Sequence, residues 1–245
     1  MRGLSAQELL YTWEVALRAH SVERAITILE MAFPEVSRDE LIALSVGQRD
    51  ARLLAIREAI FGSHMAGFAV CPACQERLEF AFDVSDIRVL PENWAPPEQV
   101  QEVSIEGFNL SYRLPNSSDL AQIACFQDVM AARDLLLQRC VLRAYQDNVE
   151  VEVAALPESI IGILGRHMLE ADPQAEVQID LSCPVCAHNW LVIFDIVPFF
   201  WSEICAQAKR LMREVHMLAR AYGWSETDIL AISAARRQFY LEMVT

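Results

Sequence analysis

The sequence predicts an α+β chain, mostly helical, organised around a small antiparallel ribbon-like sheet built from two distant Cys-Pro-x-Cys turns. Three observations carry this. Helix-start signals recur through the first sixty residues and again near the C-terminus. Strict apolar alternation flanks both cysteine turns, and the turns, Cys71-Pro-Ala-Cys74 and Cys183-Pro-Val-Cys186, share one layout down to an Asp at the end of the following strand.

In chain order, Ser5-x-x-Glu8 is a capping box ahead of Leu9, Trp13, Ala16 and Leu17 at helical spacing. Ser21 is expected to cap a second helix, with Val22, Ile26, Leu29 and Phe33 on one stripe and Pro34 ending it. Ser37-x-x-Glu40 and Ser45-x-x-Gln48 are two further boxes, the second opening a helix that stops at Gly62. After Cys74 the period becomes two: Leu78, Phe80, Phe82 and Val84 alternate with Glu79, Ala81 and Asp83.

A Pro-rich connector over 91–97 leads to a hairpin with strands 100–106 and 108–113, turning near Gly107. The segment from Pro115 is expected to start one long helix running to about Tyr145, and Pro157 to stand at the first position of another. Val177, Ile179 and Leu181 precede the second cysteine pair; Trp190, Val192, Phe194 and Ile196 follow it. The last long helix carries Ile204, Ala208, Leu211, Val215, Leu218 and Tyr222 on one stripe, closed by Gly223. A short helical pair follows Ser225 and Ser233, and its residues 227–237 echo residues 39–49. The parts are then a helical segment 1–65, a ribbon from 66–90 and 174–197 with residues 91–173 inserted, and a helical segment 198–245, all expected to form one integrated domain.

The totals exclude several classes of function. Hydrophobic residues make up 53% of 245 and mean hydropathy is +0.20, yet the most apolar run, 191–204, is cut by Asp195, Pro198 and Glu203, too soon to cross a bilayer. The N-terminus lacks the order of a signal peptide, so a cytoplasmic location is expected. A net charge of −14 argues against nucleic-acid binding, and Arg236-Arg237 reads as a solvated helix face rather than a basic patch. Seven cysteines, an odd number, point to reduced thiols rather than a disulfide framework.

Zinc is the natural occupant of two Cys-x-x-Cys turns, since four thiolates complete its tetrahedron. Cys71, Cys74, Cys183 and Cys186 are therefore expected to hold one structural Zn²⁺. Cys74 and Cys183 lie 109 positions apart. Closing such a loop costs about 4–5 kcal/mol, against roughly 10–16 kcal/mol for zinc in small structural sites, so the span is no obstacle. The competing readings are a redox dithiol, two buried thiol pairs, and a Cys3His site using His188. A redox pair would open a helix, whereas strands follow both motifs. Zinc knuckles usually place Gly after the second cysteine; here Gln75 and Ala187 stand there, a departure that bears on the knuckle geometry. Cys125, Cys140 and Cys205 read as core residues. No phosphate loop, Gly-x-Ser-x-Gly or His-Glu-x-x-His occurs, and a closed thiolate site cannot activate water, so no enzyme is expected.

Several blocks resemble one known family. Residues 44–62 (LSVGQRDARLLAIREAIFG) followed by Cys71-Pro-Ala-Cys74, residues 113–120 (RLPNSSDL), and residues 172–175 (DPQA) leading to Cys183 are similar, in that order, to baseplate-hub assembly proteins of T-even-type contractile phages and related contractile injection systems. Residues 215–224 (VHMLARAYGW) and 229–241 (ILAISAARRQFYL) are similar to the C-terminal signature of the injection-system members. The resemblance implies a non-enzymatic role in assembling, or sitting within, the baseplate hub, with hub and spike proteins as partners bound through apolar surface. The alternatives from the residues alone are a zinc-ribbon adaptor of transcription or translation machinery and a dithiol oxidoreductase.

Overall fold

The structure, a computed structural model, describes residues 3–89 and 100–244; the Pro-rich connector over 91–97 lies outside the described residues. Helix α1 (Ala6–Ala16) opens on the expected box: Ser5 Oγ accepts from the Glu8 N–H at 3.3 Å and the Glu8 carboxylate accepts from the Ser5 N–H at 2.9 Å. Helix α2 (Ser21–Ala32) is capped by His20, not Ser21: its Nδ1 accepts from Val22 N–H, and the Arg24 N–H already bonds the His20 carbonyl, so Ser21 lies inside the first turn. Helices α3 (Arg38–Ala43) and α4 (Val46–Phe61) start on the boxes of Ser37 and Ser45, and Gly62 ends α4 with φ +88°.

Strands β1 (His64–Val70) and β2 (Arg77–Asp83) form an antiparallel hairpin, with Met65 opposite Phe82 and Gly67 opposite Phe80. Val84, expected to extend the strand, instead begins the helical turn α5 (Val84–Ile87), because Asp83 and Asp86 cap it reciprocally. The inserted region contains a four-stranded antiparallel sheet. Its strands β3 (Gln101–Ile105) and β4 (Phe108–Tyr112) meet at Glu106 and Gly107, both with positive φ, which suits a two-residue hairpin turn.

The single long helix expected to reach Tyr145 is three elements. Helix α6 (Ser117–Ile123) ends early; Asp128 Oδ1 then accepts from Met130 and Ala131 N–H and starts α7 (Val129–Cys140). Strand β5 (Val141–Gln146) follows, pairing with β4, and turns at Asp147-Asn148 into β6 (Val149–Glu150). The break between the helices leaves Cys125 exposed, contrary to its reading as core, whereas Cys140 is buried and Cys205 half-buried. Pro157 occupies the N-cap position of α8 (Glu158–Ala171), one residue before the first helical one; α8 covers one face of the sheet, burying Ile160 and Leu164 in one cluster with Phe108, Leu110 and Val141.

Strands β7 (Val177–Ser182) and β8 (Asn189–Phe194) form the second cysteine hairpin; it is not hydrogen-bonded to the first, so the ribbon consists of two separate two-stranded sheets. Ile196 leaves the alternation to begin α9 (Ile196–Tyr222). Asp195 caps its first turn, where Pro198 lacks only an N–H that would have had no helical partner. Gly223 closes α9 in the left-handed conformation at φ +70°. Helices α10 (Glu226–Ala231) and α11 (Ala234–Glu242) start at Ser225 and Ser233 as expected. No helix among the described residues is long and apolar enough to cross a membrane.

The largest core joins α1, α2, α4 and the first half of α9 through Leu9, Ile28, Leu29, Leu53, Ile56 and Phe200. Arg57 lies buried at its edge. Its guanidinium donates to the carbonyls of Gly62 and His64 and to Glu203, tying the end of α4, the start of β1 and α9 together. The echo between residues 39–49 and 227–237 has a physical counterpart: each Ser caps a helix, and the Arg four positions on is buried in an ion pair, Arg49 with Asp50 at 2.7 Å and Arg237 with Glu214 at 3.0 Å. Arg237 is therefore no part of a solvated face; Arg236 alone is exposed.

Three sequence blocks converge on the N-terminus of α4. Val46 N–H donates to the Pro115 carbonyl at 3.0 Å, and Gly47 N–H to Asp172 Oδ2 at 2.8 Å, so residues from all three blocks satisfy the free donors of that helix end. Gln174 adds a bond to the Val89 N–H and another to the Ile87 carbonyl. In the second block, Asp119 is fully buried. Burial alone would raise its carboxyl, but Arg113, the Asn116 amide and Arg139 outweigh that and hold it below the usual range. A Cβ at position 47 would stand 2.1 Å from Asp172 Oδ1 and 2.8 Å from the Ala175 nitrogen. Gly47→Ala is predicted to lower stability by about 1–3 kcal/mol through this clash, outweighing alanine's helix propensity of roughly 1 kcal/mol; an unchanged midpoint in urea denaturation would contradict the junction.

Candidate metal centre

Each cysteine turn is built the same way. Cys71 N–H bonds the Glu76 carbonyl and Gln75 N–H the Cys71 carbonyl; Cys183 N–H bonds the His188 carbonyl and Ala187 N–H the Cys183 carbonyl, all four at 2.9 Å. The chain must turn left-handed after the second cysteine to re-enter the next strand. Gln75 and Ala187 do so with φ of 64° and 56°, so the knuckle forms without its usual glycine. Backbone N–H groups then point at sulfur: Glu76 towards Cys74, His188 towards Cys186, and Cys186 and Val185 towards Cys183.

The two hairpins face each other. At their roots Phe82 meets Phe194 edge-on at 5.5 Å, and Phe194 packs on Phe199 of α9. Val177, Ile179 and these rings rest against the main core. At the tips the four sulfurs converge. Cys71 and Cys186 stand 3.6 Å apart, as do Cys74 and Cys183, and all four sulfurs lie within 4.8 Å of one another. A tetrahedron with Zn–S bonds of ~2.3 Å has an edge of about 3.8 Å, so a single ion fits. Among the described residues this is the one His, Cys, Asp and Glu group close enough to hold an ion. Cys71 and Cys183 are buried, while Cys74 and Cys186 are exposed, which leaves a solvent route for metal.

Titration within the cluster has a physical pattern. The Cys186 and Val185 amides, helped by neighbouring thiols, outweigh desolvation and draw Cys183 down to about 7. The Glu76 amide pulls Cys74 down too, but desolvation and the other three sulfurs together push it up to about 12; Cys186 is raised for similar reasons, against the His188 amide and Cys74. A divalent cation would displace the protons that Cys74 and Cys186 are pushed to hold. The all-sulfur donor set suits zinc or iron.

All four residues singled out from the sequence come together. His188 does not join them: its exposed ring stacks beside Trp190 at 6.1 Å. The close sulfur pairs cross between motifs rather than within them, and strands β2 and β8 follow the turns, so the helix end of a redox dithiol is missing from both. The sequence singles out Gln75 and Ala187 as departures from the usual glycine; it does not show that both still turn left-handed, nor the amide donors around the sulfurs.

The class defined here is an α+β, mostly helical protein whose two distant hairpins converge on four sulfurs placed to hold one metal ion. The family model described as T4 bacteriophage base plate protein matches residues 18–201, and the chain belongs to that family. It is a baseplate protein of the phage type. No curated protein and no solved structure matches the chain. The matched stretch holds both cysteine pairs and the α4 junction and ends within α9. If the knuckles carry left-handed strain, Ala187→Gly relieves about 1 kcal/mol of it. The variant should then bind added Zn²⁺ about two- to five-fold more tightly than wild type in chelator competition; weaker binding would contradict the strain.

Proposed function

We propose that this baseplate-family protein is a non-enzymatic assembly factor or minor hub component of a phage-like contractile injection system, carrying one structural Zn²⁺ on Cys71, Cys74, Cys183 and Cys186. The observation that carries the reading is the family match across residues 18–201, within which the sulfur cluster joins two remote hairpins. When bound, zinc supplies cross-linking rather than catalysis, because four thiolates leave no open position for water. The chain's own residues do the rest: the knuckle amides orient the sulfurs, and the packed phenylalanines hold the hairpin roots.

Partner binding is assigned to the apolar outer faces of the ribbon. Phe68 and Val70 are 69% and 51% exposed on one hairpin, and Leu191 and Ile193 are 61% and 68% exposed on the other, with Val185 between the second pair of cysteines. Large exposed apolar groups on regular strands favour contact with another protein, here the hub and spike proteins of the tail. The net charge of −14 keeps nucleic acid away, and reduced thiols suit the cytoplasm of the producing cell. A zinc-ribbon adaptor for nucleic acid would need cations on the ribbon, but nearby Arg88 is paired with Glu58, which leaves Arg77.

Tagged protein isolated from a host making tail particles should bring hub and spike components with it and contain about one Zn²⁺ per chain. Recovery of polymerase or ribosomal proteins in their place would overturn the assignment.

A further inference from the structure

Helix α9 carries a feature that lies outside the matched stretch and that baseplate membership does not explain. Its core side is fixed by Ile204, Ala208, Leu211 and Leu218, all buried. On the opposite side Lys209, Arg213, His216 and Arg220 recur at intervals of four, three and four, which places them in one stripe about 17 Å long. All four are exposed. Arg210, round the helix, is neutralised by Glu214 at 2.9 Å, and Glu214 also holds Arg237. Among the described residues no carboxylate pairs with Lys209, Arg213 or Arg220. Lys209 is the chain's single lysine. Met212, 40% exposed, and Met217 flank the stripe, and a shallow groove of about 500 Å³ runs along Lys209, Met212, Arg213, His216 and Met217.

Three uncompensated cations in line are out of keeping with a chain of net charge −14. Like charges along one helix face repel at i, i+4 spacing, so the stripe costs the free helix stability. We infer that this face of α9 is a docking site for an acidic segment of another protein, with carboxylates spaced to meet Lys209, Arg213 and Arg220 and an apolar side chain seated on Met212 and Met217. The charge complementarity is short-ranged. The Debye length in physiological salt is about 8 Å, so a segment matched to the stripe is attracted along its whole length. A long polyanion such as nucleic acid would overrun it onto an acidic surface. A second copy of this chain would bring a further net charge of −14 against the first. Flexible methionine side chains suit a partner whose apolar contact need not be a fixed shape.

The test uses the full-length protein, fluorescence anisotropy and a labelled 16-residue helical peptide. The peptide bears Glu at positions i, i+4, i+7 and i+11 with Leu and Ala between them. Wild type should bind it, should bind the Glu-to-Gln version at least ten-fold more weakly, and should lose affinity steadily with added salt. The Lys209→Glu, Arg213→Glu double variant should bind at least ten-fold more weakly than wild type, while Arg166→Glu on the exposed face of α8 leaves binding unchanged. Circular dichroism and metal content identical to wild type establish that the double variant is folded. Carbodiimide coupling followed by mass spectrometry should join the Lys209 amine to a peptide glutamate. Three results would overturn the inference. The double variant could bind within two-fold of wild type, a twelve-nucleotide oligothymidylate could bind as tightly as the peptide, or wild type alone could form a dimer that the double variant abolishes. None of these readouts depends on hub proteins, so failure here is separable from failure of the baseplate reading.

Discussion

Four sulfur atoms set the constraint on which the rest of this molecule depends. Each comes from a turn too short to build a site alone, and each pair is held out from the core on a two-stranded hairpin of a kind that is marginal in isolation. Their meeting requires that the chain between Cys74 and Cys183 return to where it began. The junction at the N-terminus of α4 helps it do so: Pro115 and Asp172, the latter near the end of the insertion, both take hydrogen bonds from the first residues of one helix. The aromatic contact of Phe82 with Phe194 then fixes the hairpin roots against α9, and the sulfur tips follow.

Much of this was legible where the signal is local. The Ser5, Ser37 and Ser45 boxes, the turn at Gly107 and the glycine stops at Gly62 and Gly223 depend on a few neighbouring residues, and each has the expected geometry. The cysteine pairs were readable because ligand type and spacing are chemical requirements. What was not legible depends on partners far away in sequence. The stretch 141–146 has helical company, yet β4 claims it as a strand. Asp128 divides one helix into two by capping, and that division turns Cys125 outward. Arg57 and Arg237 look like surface residues until the carbonyls and carboxylates that surround them are known. Gln75 and Ala187 show the same lesson at the site itself: the backbone accepts a left-handed residue there without glycine because the surrounding hydrogen bonds determine the turn.

The distribution of chemistry over the molecule is uneven in a way that suits an assembly role. The buried carboxylates of Asp119 and Glu214 are paired with arginines, so they specify packing rather than recognition. The groups proposed to meet partners are the apolar outer faces of the ribbon at one place and the cationic stripe of α9 at another. The first lies within the stretch shared with the baseplate family, the second beyond it. A protein with two such surfaces could hold two different neighbours, and the proposed metal would keep the ribbon surface in one shape.

X-ray absorption at the zinc edge, on protein purified without oxidation or chelator, tests the central claim most directly. A single shell of four sulfur neighbours at ~2.3 Å, with about one zinc per chain, is the predicted result. Substoichiometric metal, or a shell containing nitrogen or oxygen, would mean that the two knuckles do not share a closed four-thiolate ion.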